Sequence, residues 1–259
     1  MGKKTYPFFA YLSYWLKKED QYSLQSSFIF ELYTGICDFL KAHPNGFPEF
    51  ELFRKDLLQN QNTIQVEDFG AGSKKVPGQV RQINRIAKYS TSSSKYASLY
   101  HYLCLQTPAI AVIELGTCLG ISTRYLSKAT KGTVYTLEGS SQLLTIAKRD
   151  FPYPNTEFIP GKIKDNLLPV LERINQVDFA LIDAHHTFEG TIWAWEQLKG
   201  KIHHNSIIVI GDIHWSAEME AAWKKIKTDP MVNLSFDFYE CGVLFFNYPG
   251  PKTNLILDL

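Results

Sequence analysis

The 259-residue chain is 45% hydrophobic and 20% charged, a balance that fits a packed soluble domain and excludes disordered, collagen-like and coiled-coil organisation. With 27 basic and 26 acidic residues the formal charge is +1, and the signs are mixed along the chain, so the basic stripe that a nucleic-acid backbone requires is missing. Cys37, Cys104, Cys118 and Cys241 lie far apart without a Cys-x-x-Cys pair, which argues against a zinc knuckle or a thioredoxin-type site, and no run reaches membrane-spanning length.

A reducing, cytoplasmic setting is therefore expected, without a signal peptide or stable membrane insertion. The pairs Lys3-Lys4, Lys17-Lys18 and Lys224-Lys225 read as solvated helix faces.

Residues 1–106 read as a helical N-terminal extension or cap. Apolar spacing predicts helices over Tyr6–Lys17, Phe28–Lys41, Phe50–Gln59, Pro77–Tyr89 and Ser93–Leu105. The aromatic-rich first helix fits core packing, a homodimer interface or a substrate lid, in that order. Turn-rich breaks fall at His43–Pro48 and at Phe69-Gly70-Ala71-Gly72-Ser73; the second is a candidate loop over a site.

Residues 107–259 change character. Short apolar runs at Ile110–Leu115, Thr133–Glu138, Thr156–Pro160, Val177–Ile182 and Ser206–Ile210 alternate with helices starting near Ile121, Ser141, Asp165, Phe188 and Ser216, the pattern of βαβ units in a parallel sheet. The runs Val232–Tyr239 and Val243–Asn247 are joined only by Glu240-Cys241-Gly242, too short for a crossover, and should pair as an antiparallel hairpin. The expected architecture is α/β and Rossmann-like: five parallel strands plus a C-terminal hairpin, with helices on both faces.

The most informative segment is Val112-Ile113-Glu114-Leu115-Gly116-Thr117-Cys118-Leu119-Gly120-Ile121-Ser122-Thr123, a strand entering a glycine turn and then a helix. Gly116 permits a sharp turn, Gly120 permits close helix packing, and the helix amino terminus offers free N–H groups to a ligand. The middle glycine of a Gly-x-Gly-x-x-Gly dinucleotide site is absent. About 20 residues beyond the turn, Glu138 ends the next strand, where a carboxylate accepts from both hydroxyls of a ribose.

This stretch resembles the first motif of class I S-adenosylmethionine-dependent methyltransferases, in which the turn holds the methionine part of the cofactor. The resemblance implies S-adenosylmethionine as cofactor and Glu114, Gly116, Thr117, Gly120, Ser122, Glu138, Gly139, Gly161 and Asp183 as residues near it. Gly161, in Phe158-Ile159-Pro160-Gly161-Lys162-Ile163, would border the adenine; a purely structural turn fits it equally well.

The fourth and fifth strands run into Asp183-Ala184-His185-His186-Thr187-Phe188-Glu189-Gly190 and Gly211-Asp212-Ile213-His214-Trp215-Ser216, at the carboxyl edge where open α/β sheets bind ligands. The first loop resembles the Asp-x-x-His-x-x-Glu-Gly pattern of macrocin-type O-methyltransferases, and further segments around Ser26–Phe30 and Asp68–Ser73 resemble a bacterial branch of that family defined by sequence pattern. By that resemblance Asp183 and Asp212 would bind a divalent cation such as Mg²⁺ that orients a substrate hydroxyl, and His186, with Asp183, would be catalytic as its proton acceptor. Relatives carry an acidic pair where this chain has Gly211-Asp212, so one oxygen ligand is missing; without a metal, the two aspartates would hold cofactor and substrate by hydrogen bonds.

The function implied is methyl transfer to the hydroxyl of a small-molecule acceptor, with nucleic acid disfavoured as a partner. Two other readings remain: a non-catalytic binding or scaffold protein of the same shape, and a metal-dependent hydroxylase-like enzyme, against which the lack of a clean histidine pair argues.

Overall fold

The computed structural model describes residues 6–73 and 75–259; Lys3 and Lys4 lie outside them. Along the chain run α1 (Tyr6–Lys17), α2 (Ser27–Ala42), α3 (Pro48–Gln59), β1 (Thr63–Gln65), β2 (Val80–Gln82), α4 (Ile83–Tyr89) and α5 (Ser94–Leu105). They are followed by β3 (Ala111–Leu115), α6 (Ile121–Ala129), β4 (Thr133–Glu138), α7 (Ser141–Lys148), β5 (Thr156–Pro160), α8 (Ile163–Glu172), β6 (Val177–Ile182), α9 (Phe188–Lys199), β7 (Ile202–Gly211), α10 (Ala217–Lys227), β8 (Leu234–Asp237), β9 (Cys241–Phe245) and β10 (Thr253–Ile256).

The main sheet has the order β10-β8-β9-β7-β6-β3-β4-β5. Its five central strands, β5, β4, β3, β6 and β7, are mutually parallel, as the alternation of apolar runs predicts. β9 is antiparallel to both β7 and β8, so the hairpin expected from the sequence forms and its second strand inserts against the parallel block. Cys241 and Gly242 belong to β9 rather than to the connection. The turn falls on Phe238–Glu240, with Tyr239 at φ 66°. The sequence pattern did not indicate β10, a short strand parallel to β8 at the sheet edge.

Successive strand residues face opposite sides of a pleated sheet, so the two faces draw on alternating positions. Val112, Val134, Phe179, Leu181 and Val209 share one core with Ile36 of α2 and Leu99 and Leu103 of α5. Ile113, Leu115, Ala180, Ile182, Ile208 and Ile210 share the other with Leu167 of α8, Trp195 of α9 and Trp223 of α10. The core thus runs without a break across residue 106, because α2 and α5 supply part of the helical layer on one face.

The segment expected to be a helix from Pro77 begins its helix only at Ile83. Before it, Val80–Gln82 pairs antiparallel with Thr63–Gln65. The amides of Ile83 and Asn84 donate to the carbonyls of Asn62 and Asn60, so the preceding chain caps the helix and there is nothing for an earlier turn to gain. The loop carrying Asp68–Ser73 is therefore the tip of a two-stranded ribbon.

Candidate active site

The carboxyl ends of β3, β4, β6 and β7 meet around two adjoining cavities of about 180 and 560 Å³. Both are bordered by Gly116, Cys118, Asp183 and His186, so these residues form the wall between them. Glu138 and Gly139 line the smaller cavity; Thr117, Ser122 and Asp212 line the larger.

Gly116 follows β3 at φ 103°, a conformation that disfavours any side chain, and a Cβ there would run into the carbonyl of Asp183. The close approach joins the β3 and β6 turns, with the Asp183 amide donating to the Leu115 carbonyl at 2.9 Å. Glu138 accepts the backbone amides of Cys118 and Ser140, both at 2.8 Å. Burial raises its carboxyl above the ordinary range, opposed by these amides. Each oxygen keeps a lone pair, and the residue borders the cavity, so it is fitted to receive two vicinal hydroxyls.

Glu114 lies elsewhere. It is fully buried behind the turn and borders neither cavity. Its oxygens accept from Ser122 and Thr123 at 2.6 Å and from Thr136 at 2.5 Å, and burial pushes its carboxyl up to about 7 against those bonds. It ties the turn and the start of α6 to β4, a bracket rather than a ligand contact. Thr117 bonds Thr136 through its hydroxyl, and the Ser122 hydroxyl is committed to Glu114, so both reach the cavity only as wall.

Gly120, at φ 75°, lets α6 lie against α7; a Cβ would sit 2.9 Å from that of Ala147. Gly161 borders neither cavity and makes the turn into α8, its amide donating to the Glu138 carbonyl at 2.9 Å. Of the residues expected around a cofactor, the fold brings Gly116, Thr117, Ser122, Glu138, Gly139 and Asp183 to cavity walls and leaves Glu114, Gly120 and Gly161 behind them.

The ribbon tip closes over the smaller cavity, lining it from Val66 to Ser73. The Ala71 amide donates to the His185 carbonyl at 2.7 Å, Gly70 packs so tightly on that backbone that no Cβ fits, and the Phe69 ring lies on Gly139. Arg81 pairs with Asp68 at the base of the tip.

Across the wall, Asp183, His186 and Asp212 each place one ligand atom within 4.8 Å of the others, and His186 Nε2 lies 3.7 Å from Asp212 Oδ2. His186 Nδ1 is buried without a hydrogen-bond partner. Burial raises the Asp183 carboxyl, the nearby imidazole lowers it and Asp212 raises it further. His185, His186 and Asp212 all have positive φ, backbone strain concentrated where the three groups converge. Two carboxylates and one imidazole fit a divalent cation, and the imidazole equally fits the role of proton acceptor for a hydroxyl.

Gly211 acquires a physical reason here: a Cβ would overlap the Asp183 carboxylate. A side chain at 211 has no room beside the Asp183 carboxylate as it is placed, so packing in this chain accounts for the glycine. Glu189 of the same pattern is exposed in the first turn of α9 and borders neither cavity. His214 is occupied structurally: its Nε2 meets Asp237 at 2.9 Å and its ring stacks on Tyr239.

Much of the larger cavity comes from two segments read as helix, and from the break between them, to which the sequence assigned no site role. Lys88, Tyr89, Ser90–Ser93, Tyr96 and Tyr100 form its far side, with Trp215 and Glu240 near Asp212. The run Ser90-Thr91-Ser92-Ser93-Ser94, too rich in hydroxyls to continue a helix, was the available signal.

Comparison with known proteins agrees with this fold. In fold the chain is similar to the S-adenosylhomocysteine-bound methyltransferase PaMTH1 of Podospora anserina (TM-score 0.59, 13% identity, 87% of this chain and 97% of that one). It is similar also to the O-methyltransferase TomG of Streptomyces achromogenes, a tomaymycin-synthesis protein solved with S-adenosylmethionine (TM-score 0.51, 15% identity, 61% and 82%). A third is the Bacillus cereus O-methyltransferase in complex with S-adenosylhomocysteine (TM-score 0.50, 18% identity, 60% and 82%). At these identities the likeness is one of fold. No curated protein matches the sequence. Residues 113–213, which run from β3 past Asp212 and supply the wall between the two cavities, match the family model of a methyltransferase domain.

Proposed function

We propose that the protein is an S-adenosylmethionine-dependent methyltransferase of the macrocin-type kind, transferring a methyl group to the hydroxyl of a small molecule in the cytoplasm. The observation that carries the reading is the pairing of the Gly116 turn with the Glu138 carboxylate in one cavity, sharing a wall with Asp183 and His186 of a second, larger one. The bound cofactor supplies an electrophilic methyl on a sulfonium; the remaining work falls to this chain's residues.

Glu138 holds the ribose, and Gly116 lets the backbone approach the methionine end closely. Phe69, lying on Gly139, covers the adenosine end and excludes water. His186 accepts the proton of the acceptor hydroxyl as the oxygen attacks, and Asp183 and Asp212 fix the geometry of that oxygen.

A second reading of the same three groups is favoured by their ligand atoms lying within 4.8 Å of one another: with a divalent cation bound by Asp183, Asp212 and His186, the imidazole becomes a ligand. Calorimetric titration of S-adenosylmethionine, with and without Mg²⁺, tests both. Micromolar binding that weakens in Glu138→Ala supports the transferase. Absence of binding in either condition favours a scaffold role. A Mg²⁺ requirement lost in Asp212→Asn selects the metal arrangement.

A further inference from the structure

The site leaves α1 unexplained. Only Ala10 and Tyr14 of its twelve residues are buried, held by the Tyr14 hydroxyl bonding the Leu257 carbonyl and by Tyr11 and Tyr14 against Tyr239. Phe8, Phe9, Tyr11, Leu12, Trp15 and Leu16 stand 42–68% exposed. At about 100° per residue these six fall in one arc of roughly 160°, directly away from the buried edge. Six half-exposed side chains of this size leave on the order of 600 Å² of apolar surface, at the upper limit of what a soluble monomer shows without a partner.

Charge narrows the partner. The helix ends on Lys17, which is exposed, and Lys18, which pairs with Asp258 at 2.6 Å; Glu19 and Asp20 follow, and Lys3 and Lys4 precede the helix in the sequence. The helix also borders the larger cavity: Pro7 lines it together with the exposed Lys75 and Lys88, and the Tyr239 hydroxyl bonds the Pro7 carbonyl. An apolar aromatic arc on a helix that ends at the exposed Lys17, beside a cavity mouth edged by Lys75 and Lys88, matches the chemistry of an anionic lipid surface, where aromatic rings settle at headgroup depth and lysines meet the phosphates.

We propose that α1 is an interfacial helix that seats the protein on an anionic lipid surface with the larger cavity opening toward the headgroups. Among the described residues no helix is long and apolar enough to cross a membrane, so the contact is peripheral. The proposal does not depend on methyl transfer.

The test is co-sedimentation of the full chain with vesicles of phosphatidylcholine alone and of phosphatidylcholine with phosphatidylglycerol. Binding to the anionic vesicles should exceed that to neutral ones at least tenfold, should fall at least tenfold in Leu12→Ser/Trp15→Ser/Leu16→Ser, and should lose its anionic preference in Lys17→Glu. These exposed substitutions should leave the thermal midpoint unchanged. Failure to bind either vesicle overturns the proposal. A dimer seen by analytical ultracentrifugation that the triple variant abolishes, without vesicle binding, assigns the face instead to a second copy of the chain. Vesicle binding by a protein that does not bind S-adenosylmethionine would sink the transferase and leave this proposal standing.

Discussion

Glu114 offers the sharpest test of the physical account, because the sequence points it at a ligand and the fold makes it a buried bracket. Burial raises its carboxyl from 4.5 to about 7, so the folded state holds a proton that the unfolded state has released. For such a group stability is greatest below the unfolded value and is lost as pH rises through the folded one. With 1.36 kcal/mol per pKa unit, Glu114 should withdraw about 2.5 kcal/mol of stability between pH 5 and pH 8. Glu114→Gln keeps the shape and removes the titration.

Urea unfolding of both proteins at pH 5, 6, 7 and 8 gives the assay. Asp183, Glu138 and Glu240 also have raised carboxyls, so the quantity to read is the difference between the two curves, in which their contributions cancel. The variant should start less stable at pH 5, where glutamine cannot satisfy all three hydroxyls, and the gap should narrow toward pH 8. Affinity for S-adenosylmethionine should change less than threefold. Parallel curves would refute the buried-carboxyl account, and a large loss of affinity at unchanged stability would restore Glu114 as a ligand contact.

Other expectations follow from the same geometry. Glu138→Ala removes two charge-assisted acceptors from the proposed ribose site and should weaken S-adenosylmethionine about 10- to 100-fold by calorimetry, the equivalent of roughly 1.5–3 kcal/mol. Gly211→Asp should displace Asp183; a functional variant of full stability would show that the packing argument is mistaken. Gly70→Ala has no room against the His185 backbone, so the ribbon tip should detach and become sensitive to limited proteolysis near residues 68–73, whereas wild type resists. His186→Ala should cut turnover by about 10²- to 10⁴-fold once an acceptor is in hand, with cofactor affinity nearly unchanged; equal losses in both would remove its role as proton acceptor.

The sequence by itself determined the parallel block, because β3 to β7 are short apolar runs bounded by turns and separated by helical stretches, and both the burial and the spacing are local properties. It also determined the antiparallel hairpin, since three residues cannot cross a sheet, and the convergence of Asp183, His186 and Asp212, since adjacent parallel strands deliver their carboxyl ends to one edge. What it could not determine depends on contacts between distant segments. Glu114 sits at a strand end as a ligand would, and only the hydroxyls of Ser122, Thr123 and Thr136 closing around it turn it inward. Gly211 reads as a missing ligand until the Asp183 carboxylate is seen in the space beside it. The strands Thr63–Gln65 and Val80–Gln82, three residues each, have too little periodicity to stand out and exist because they pair across 14 intervening residues, bringing Phe69 and Gly70 to the ends of β4 and β6. Local pattern fixes which element forms; which side chain reaches a cavity is decided by the packing that fills the space behind it.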